Sequence, residues 1–169
     1  MARLSNRVAV QLFRRLPWLG ELWAARRSFV EGSGIPWAPL RRPLAQSRVA
    51  LVTTAGVHVA ADTPFDMRDR DGDPSFRVIP SETPAQALTI THDYYDHSAA
   101  DRDINVVLPI DRLREAHAAG RVGGLGPRIY SFMGHVDGPH IRMLLDVTAP
   151  QVARRLVEDG VDAAVMTPA

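Results

Sequence analysis

Two short apolar runs constrain this chain most: Val49-Ala50-Leu51-Val52-Thr53-Thr54 and, near the other end, Val161 to Met166. Both have the length of strands rather than helices, and neither alternates with polar residues, so each is predicted as a buried strand. Ala55-Gly56-Val57-His58 closes the first. Phe76 to Ile79 and Ala87 to Ile90 read as shorter strands, and Tyr130 to His135 as a strand or strand-to-turn segment. Helices lie between them. One opens at Pro109-Ile110-Asp111 with proline in its first turn and stops at Gly120. A second carries Val152, Leu156 and Val157, is expected to be capped by Thr148-Ala149-Pro150, and ends at Asp159-Gly160. Strands alternating with helices imply an α/β fold, an open and mostly parallel sheet with flanking helices.

The chain divides by charge. Residues 1–48 hold nine arginines against Glu21 and Glu31, a local +7, whereas residues 49–169 hold eleven against seventeen acids, a local −6. Residues 1–47 are read as a basic amphipathic arm and a Pro/Gly linker, and residues 48–169 as the α/β domain. In the arm, Leu12, Phe13, Leu16, Leu19, Leu22 and Trp23 recur at helical spacing, and Pro17 breaks the pattern into two short helices or one kinked helix. Packing on the same chain or a partner is the first reading of this arm, and a membrane-surface helix the second. The acidic domain argues against a nucleic-acid partner. No run approaches the roughly 18–20 uninterrupted apolar residues of a membrane span. There is no cysteine, which excludes disulfides, Cys-ligated zinc and thiol catalysis within these 169 residues.

The densest chemistry is Thr91-His92-Asp93-Tyr94-Tyr95-Asp96-His97-Ser98, directly after the predicted strand ending at Ile90. Open α/β sheets place ligands just past the carboxyl ends of their strands. Thr53, Thr54, Gly56 and His58 end one such strand, and His92, Asp93, Tyr94, Asp96 and His97 follow another. Bunched at one sheet edge, these groups can bind a carboxylate, deliver a proton or orient a nucleophile. His92 and His97 are the candidates for proton transfer, because imidazole titrates near neutrality. The competing structural reading has Asp93 and Asp96 capping a turn with the tyrosines packed beneath. His135, beside Gly134, is a further candidate, whereas His117 is expected on a solvated helix face. Asp69-Arg70-Asp71-Gly72-Asp73 does not fit a calcium loop, whose glycine stands sixth and whose glutamate stands twelfth.

Thr91 to His97 also resembles the Thr-His-x-His-x-Asp-His signature of metallo-β-lactamase-type hydrolases, which would make His92, Asp96 and His97 zinc ligands, with His135 or His140 completing the set. Tyr94 stands where that signature has its middle histidine, and a phenol with a pKa of about 10 is a poor ligand. No metal is the primary expectation.

A second resemblance spans more of the chain. Val52-Thr53-Thr54-Ala55-Gly56-Val57-His58, Gly72-Asp73-Pro74-Ser75-Phe76-Arg77-Val78-Ile79-Pro80, Thr91 to Ser98, Asp101 to Leu113, and Tyr130-Ser131-Phe132-Met133-Gly134-His135 occur in this order. Together they resemble the selenoprotein B subunits of glycine, sarcosine, betaine and D-proline reductases, from about Arg48 onward. The resemblance implies a subunit of a dithiol-dependent reductase that cleaves a carbon–nitrogen bond of a small amino-acid-type substrate. It implies a selenocysteine or cysteine nucleophile in the loop after Val161 to Met166, a pyruvoyl group on a partner subunit, a thiol or dithiol electron donor, and a cytoplasmic hetero-oligomer. Thr167 then joins Thr53, Thr54, Gly56, His58, Asp93, Tyr94, Asp96 and His135 as substrate-binding candidates, around His92 and His97. The nucleophile would fall just beyond Ala169, so the sheet would lack its carboxyl-terminal helix and strand and these residues alone would be inactive. A non-catalytic assembly subunit is the alternative.

Selenocysteine is encoded by UGA. The gene is therefore expected to show UGA after the Ala169 codon, followed by an in-frame, cysteine-containing reading frame. Sequencing the next stretch of DNA checks this, and UAA or UAG there would favour the assembly subunit.

Overall fold

The computed structural model describes residues 8, 12, 13, 15–25, 34 and 37–169. In the arm, Pro17–Ala24 forms α1, preceded by a helical turn in which the Leu16 N–H donates to the Leu12 carbonyl. The first apolar run becomes β1 (Arg48–Thr53), buried at every position after Arg48. The chain then turns at Gly56, whose φ of 69° is left-handed. It continues as β2 (Val57–Val59), β3 (Arg77–Pro80), β4 (Leu88–Ile90), α2 (Ile110–Ala118), β5 (Gly124–Leu125) and β6 (Arg128–Ser131). A four-residue α3 (His140–Met143) passes through a π-turn at Leu144–Thr148 into α4 (Ala149–Glu158), and β7 (Ala163–Thr167) follows.

β1 is the centre of a five-stranded sheet. Along one edge it pairs in parallel with β7, from Val49↔Ala163 to Thr53↔Thr167. The other edge is shared: β5 pairs in parallel with its start, Arg48↔Gly124, and β6 with its end, Thr53↔Ser131. β3 lies outside β6, antiparallel to it, with Ile79 opposite Ile129. The expected open, mostly parallel α/β sheet is therefore present.

Successive β1 side chains point to opposite faces, and each face builds its own core. Leu51 packs with Ile79, Ile129, Val57, Leu108 and Ile110 on the α2 side. Val52 packs with Tyr130, Phe132 and Val152 of α4 on the other. A third cluster of Phe65, Met67 and Met133, joined by Tyr94, closes the carboxyl edge. Positive-φ glycines end both long helices, Gly120 after α2 and Gly160 after α4, as their sequence positions indicated.

Three expectations are corrected. β4 does not join the main sheet: it pairs with β2 in a separate antiparallel ribbon, Val57↔Ile90 to Val59↔Leu88, because the turn at Gly56 carries the chain out of the plane of β1. Thr148 is no cap, having helical φ and ψ, and its hydroxyl donates to the Pro74 carbonyl 2.9 Å away. β7 is not buried. Val165 is 44% exposed and Met166 68%, because the described residues put no strand beyond it.

Leu51 and Val165 are register partners with opposite surroundings, 1% against 44% exposed. Leu51→Ala is expected to lower unfolding stability by about 3 kcal/mol and Val165→Ala by less than about 1 kcal/mol; urea titration of both variants checks the contrast.

Candidate functional site

β1, β6 and β7 run in parallel, so their carboxyl ends meet at one edge, the place where α/β sheets receive ligands. Thr53 and Thr54, Ser131 to His135, and Thr167 to Ala169 all emerge there. The Thr91–Ser98 loop lies over the same edge although β4 is outside the sheet. It is held by backbone contacts: the Thr91 N–H donates to the Gly56 carbonyl at 2.9 Å, and the Tyr95 hydroxyl donates to the Ala55 carbonyl at 3.1 Å. Gly56 makes this approach possible, since a Cβ there would stand 2.7 Å from the Thr91 oxygen and 3.0 Å from the His92 Cβ.

His92 is buried, with each ring nitrogen facing a backbone donor: Nδ1 lies 3.2 Å from the Tyr94 nitrogen and Nε2 3.1 Å from the Gly134 nitrogen. Burial, reinforced by the charges of His135 and His97, lowers its pKa to about 4. His92 is therefore neutral at physiological pH. His97 is only half buried, and its Nδ1 sits 2.8 Å from both carboxylate oxygens of Asp101. That pairing fixes the ring and directs Nε2 away from the carboxylate.

The rings form a continuous cluster. Tyr94 stacks on His135 with centroids 3.9 Å apart, and Tyr95 meets His92 edge-on at 4.9 Å and His97 at 5.6 Å. Burial, with a smaller contribution from Asp101, holds the Tyr95 phenol well above its ordinary pKa. His135 also lies within hydrogen-bond reach of the Arg70 carbonyl, at 3.0 Å.

Several residues named from sequence carry the fold of this edge. The Thr53 hydroxyl donates to the Val107 carbonyl at 2.9 Å, and the Thr167 hydroxyl to the same carbonyl at 2.7 Å. Both nitrogens of His58 are engaged, by the Val59 carbonyl and the Thr91 hydroxyl. Asp96 accepts from the Ser98 N–H and caps the turn, while Asp93 is buried beside it. His117 is exposed and bonded to the Val122 carbonyl. Among the described residues, no three His, Asp or Glu side chains converge as metal ligands do, so His92, Asp96 and His97 are not assembled into a zinc site.

Two residues were missed. Asp101 had a signal, standing four positions after His97. Gly134 had none until the fold was known: its N–H donates to His92, and a Cβ there would collide with the Ala169 carbonyl oxygen and stand 3.1 Å from the Thr54 oxygen. Thr54 holds the same segment from the other side, its hydroxyl accepting from the Ala169 N–H at 3.0 Å. The chain leaving β7 is thus threaded between Thr54 and Gly134, with His92 behind them.

A mixed α/β sheet that feeds one parallel strand into a histidine-lined edge defines the class, and comparison with known proteins gives the family. The family model described as glycine/sarcosine/betaine reductase selenoprotein B matches residues 20–169, and the chain belongs to that family. It is 39% identical over 131 residues to the D-proline reductase subunit gamma of Acetoanaerobium sticklandii, covering 78% of this chain and 52% of that protein. Identity is 28% over 172 residues to the betaine reductase complex component B subunit beta of Peptoclostridium acidaminophilum, covering 96% and 37%. It is 29% over 137 residues to the glycine reductase complex component B subunit gamma of Carboxydothermus hydrogenoformans, covering 79% and 30%. The chain therefore spans about half or less of the length of these relatives. No solved structure matches it. Among the described residues, no helix is long and apolar enough to cross a membrane.

The depressed His92 pKa has a consequence for stability. Between its folded value of about 4 and the ordinary 6.5, the unfolded chain binds more protons than the folded one. The contribution is complete above the upper value and lost as pH falls through this window, on the order of 3 kcal/mol in all. His92→Asn is expected to flatten the acid limb of a stability–pH profile, and denaturant titrations of both proteins across that window check it.

Proposed function

We propose that this chain builds the nucleophile pocket of a reductase B subunit, in an enzyme that cleaves the carbon–nitrogen bond of a small amino-acid-type substrate: glycine, sarcosine, betaine or D-proline. One observation supports this reading above the others. β7 delivers residues 168 and 169 between Thr54 and Gly134, against His92, and the position next in line is the one where family resemblance expects selenocysteine or cysteine.

The residues present fit such a group. The missing Cβ at Gly134 leaves room for backbone beside it, and a ring kept neutral by burial does not protonate a chalcogen anion at physiological pH. When in place, the selenol or thiolate supplies a polarisable nucleophile toward the substrate carbon. His92 acts as a positioning residue, its neutral ring accepting at one nitrogen, Nε2, from the Gly134 N–H 3.1 Å away. His97, with Nδ1 tied to Asp101, carries the proton that the departing amine takes up through Nε2. Two electrons enter from a dithiol, which leaves as a disulfide. The substrate's amino group is held by a pyruvoyl-containing partner subunit, outside this chain. A dithiol donor requires a reducing compartment, which makes the cytoplasm the proposed location.

The test is amine release by the complete reductase complex, with dithiothreitol as donor and each of the four substrates in turn. One substrate is expected to release its amine. His97→Asn is expected to lower kcat by about 100-fold or more, and Asp101→Asn to lower it less while shifting the pH profile. Full activity of the His97 variant, or no release from any substrate, would overturn the assignment.

A further inference from the structure

The segment that carries the two site histidines has no regular structure between Thr91 and His97, so the pose of each ring depends on what holds it. His92 is held by the sheet edge directly, its Nε2 accepting from the Gly134 N–H. His97 is held locally. Its Nδ1 faces Asp101, and the Asp101 N–H donates back to the His97 carbonyl at 2.8 Å, which closes a turn. The Asp101 side chain is 53% exposed. Such a turn fixes the imidazole against its carboxylate and leaves the pair, as a unit, to be fixed against the sheet.

Tyr95 meets that need. Its ring stands edge-on to both imidazoles, with centroids 4.9 Å from His92 and 5.6 Å from His97. Its hydroxyl donates to the Ala55 carbonyl at 3.1 Å. Ala55 is fully buried just past β1; its N–H donates to the Thr53 hydroxyl at 3.2 Å, and its backbone bridges Met133, the residue before Gly134. One hydroxyl is thus tied to the junction of β1 with the segment leaving β6. The Tyr95 ring also packs against the core that contains Leu51 and Leu108, so it rests on a rigid surface. Burial, with a smaller contribution from Asp101, keeps the phenol protonated, and the hydroxyl stays a donor at physiological pH. Phenylalanine would supply the same ring without the tie.

We propose that Tyr95 is the positioning residue for His97: its hydroxyl, anchored on the Ala55 carbonyl, sets the ring, and the ring sets the pose of the His97–Asp101 pair at the sheet edge. The inference rests on the reading of His97 as carrier of the proton for the departing amine. Tyr95 touches no reacting atom on this account and acts through His97. A proton carrier must stand within hydrogen-bond reach of the atom it serves, and a displacement of about 1 Å costs about 100-fold. Losing the anchor while keeping the ring permits part of that displacement.

The test uses Tyr95→Phe in the complete reductase complex, alone and combined with His97→Asn, with circular dichroism to confirm that each variant folds. Tyr95→Phe is expected to lower kcat about tenfold with KM changed less than about twofold. In the His97→Asn background it is expected to lower kcat no further, because both substitutions act through one group. No loss in the single variant, a loss confined to KM, or an equal loss in both backgrounds would overturn the proposal. A second measurement does not depend on catalysis. With histidine isotopically labelled in the same subunit, the ring signals of His97 are expected to shift in Tyr95→Phe, since the aromatic ring beside it takes a new pose. Those of His92, held by Gly134, are expected to shift less. Unchanged His97 signals would sink the proposal even where amine release is observed. A fully active His97→Asn complex together with shifted signals would instead remove the functional reading, and leave Tyr95 as the residue that sets the His97 ring.

Discussion

Everything in this structure depends on β1 being hydrogen-bonded along both edges and covered on both faces. Four of its five buried positions are apolar, and the strand serves two cores at once, Leu51 in one and Val52 in the other. Because β6 and β7 take their direction from it and pair with its end, their carboxyl ends reach the same edge. The candidate site is a by-product of that shared direction. No side chain of the site has to draw the strands together, because the core already has.

The site is built largely from backbone groups. The Gly134 and Tyr94 amides face one imidazole, the Ala55 and Gly56 carbonyls hold the loop above it, and glycine at two positions admits the close approach. Such a frame leaves His92 buried, so burial dominates its ionisation, with His135 and His97 adding to the same effect. His97, half exposed and carboxylate-paired, stands in the contrasting environment a few residues away. Two histidines five positions apart thereby acquire different chemical capacities.

Much of this was legible in the sequence, and the failures have physical causes. The strands at Val49–Thr54 and Phe76–Ile79 and the helices with their glycine stops were readable because burial and backbone geometry leave local marks. The partner of β4 was not readable, since three residues of alternating polarity fix a strand but not its neighbour. Nor was the exposure of Val165 and Met166: apolarity shows what a residue can tolerate, not whether the described residues cover it. At the site, the run from Thr91 to His97 announced itself by composition. The roles of Thr53, His58 and Thr167 did not, because a hydroxyl or ring that closes a backbone bond looks in sequence like one that awaits a substrate. Gly134 illustrates the deepest limit, for its significance lies in an atom it lacks.

Two hydroxyls on neighbouring strands, those of Thr53 and Thr167, share a single acceptor, the Val107 carbonyl. Sliding β7 by one position would turn Thr167 to the opposite face and leave that oxygen short of one donor, while every other side chain of the strand inverted with it. The shared acceptor therefore works as a lock on strand alignment at the very point where the chain departs the sheet. Pro168 and Ala169 inherit that alignment as they leave the sheet, their starting position set by a pin at the strand's last residue.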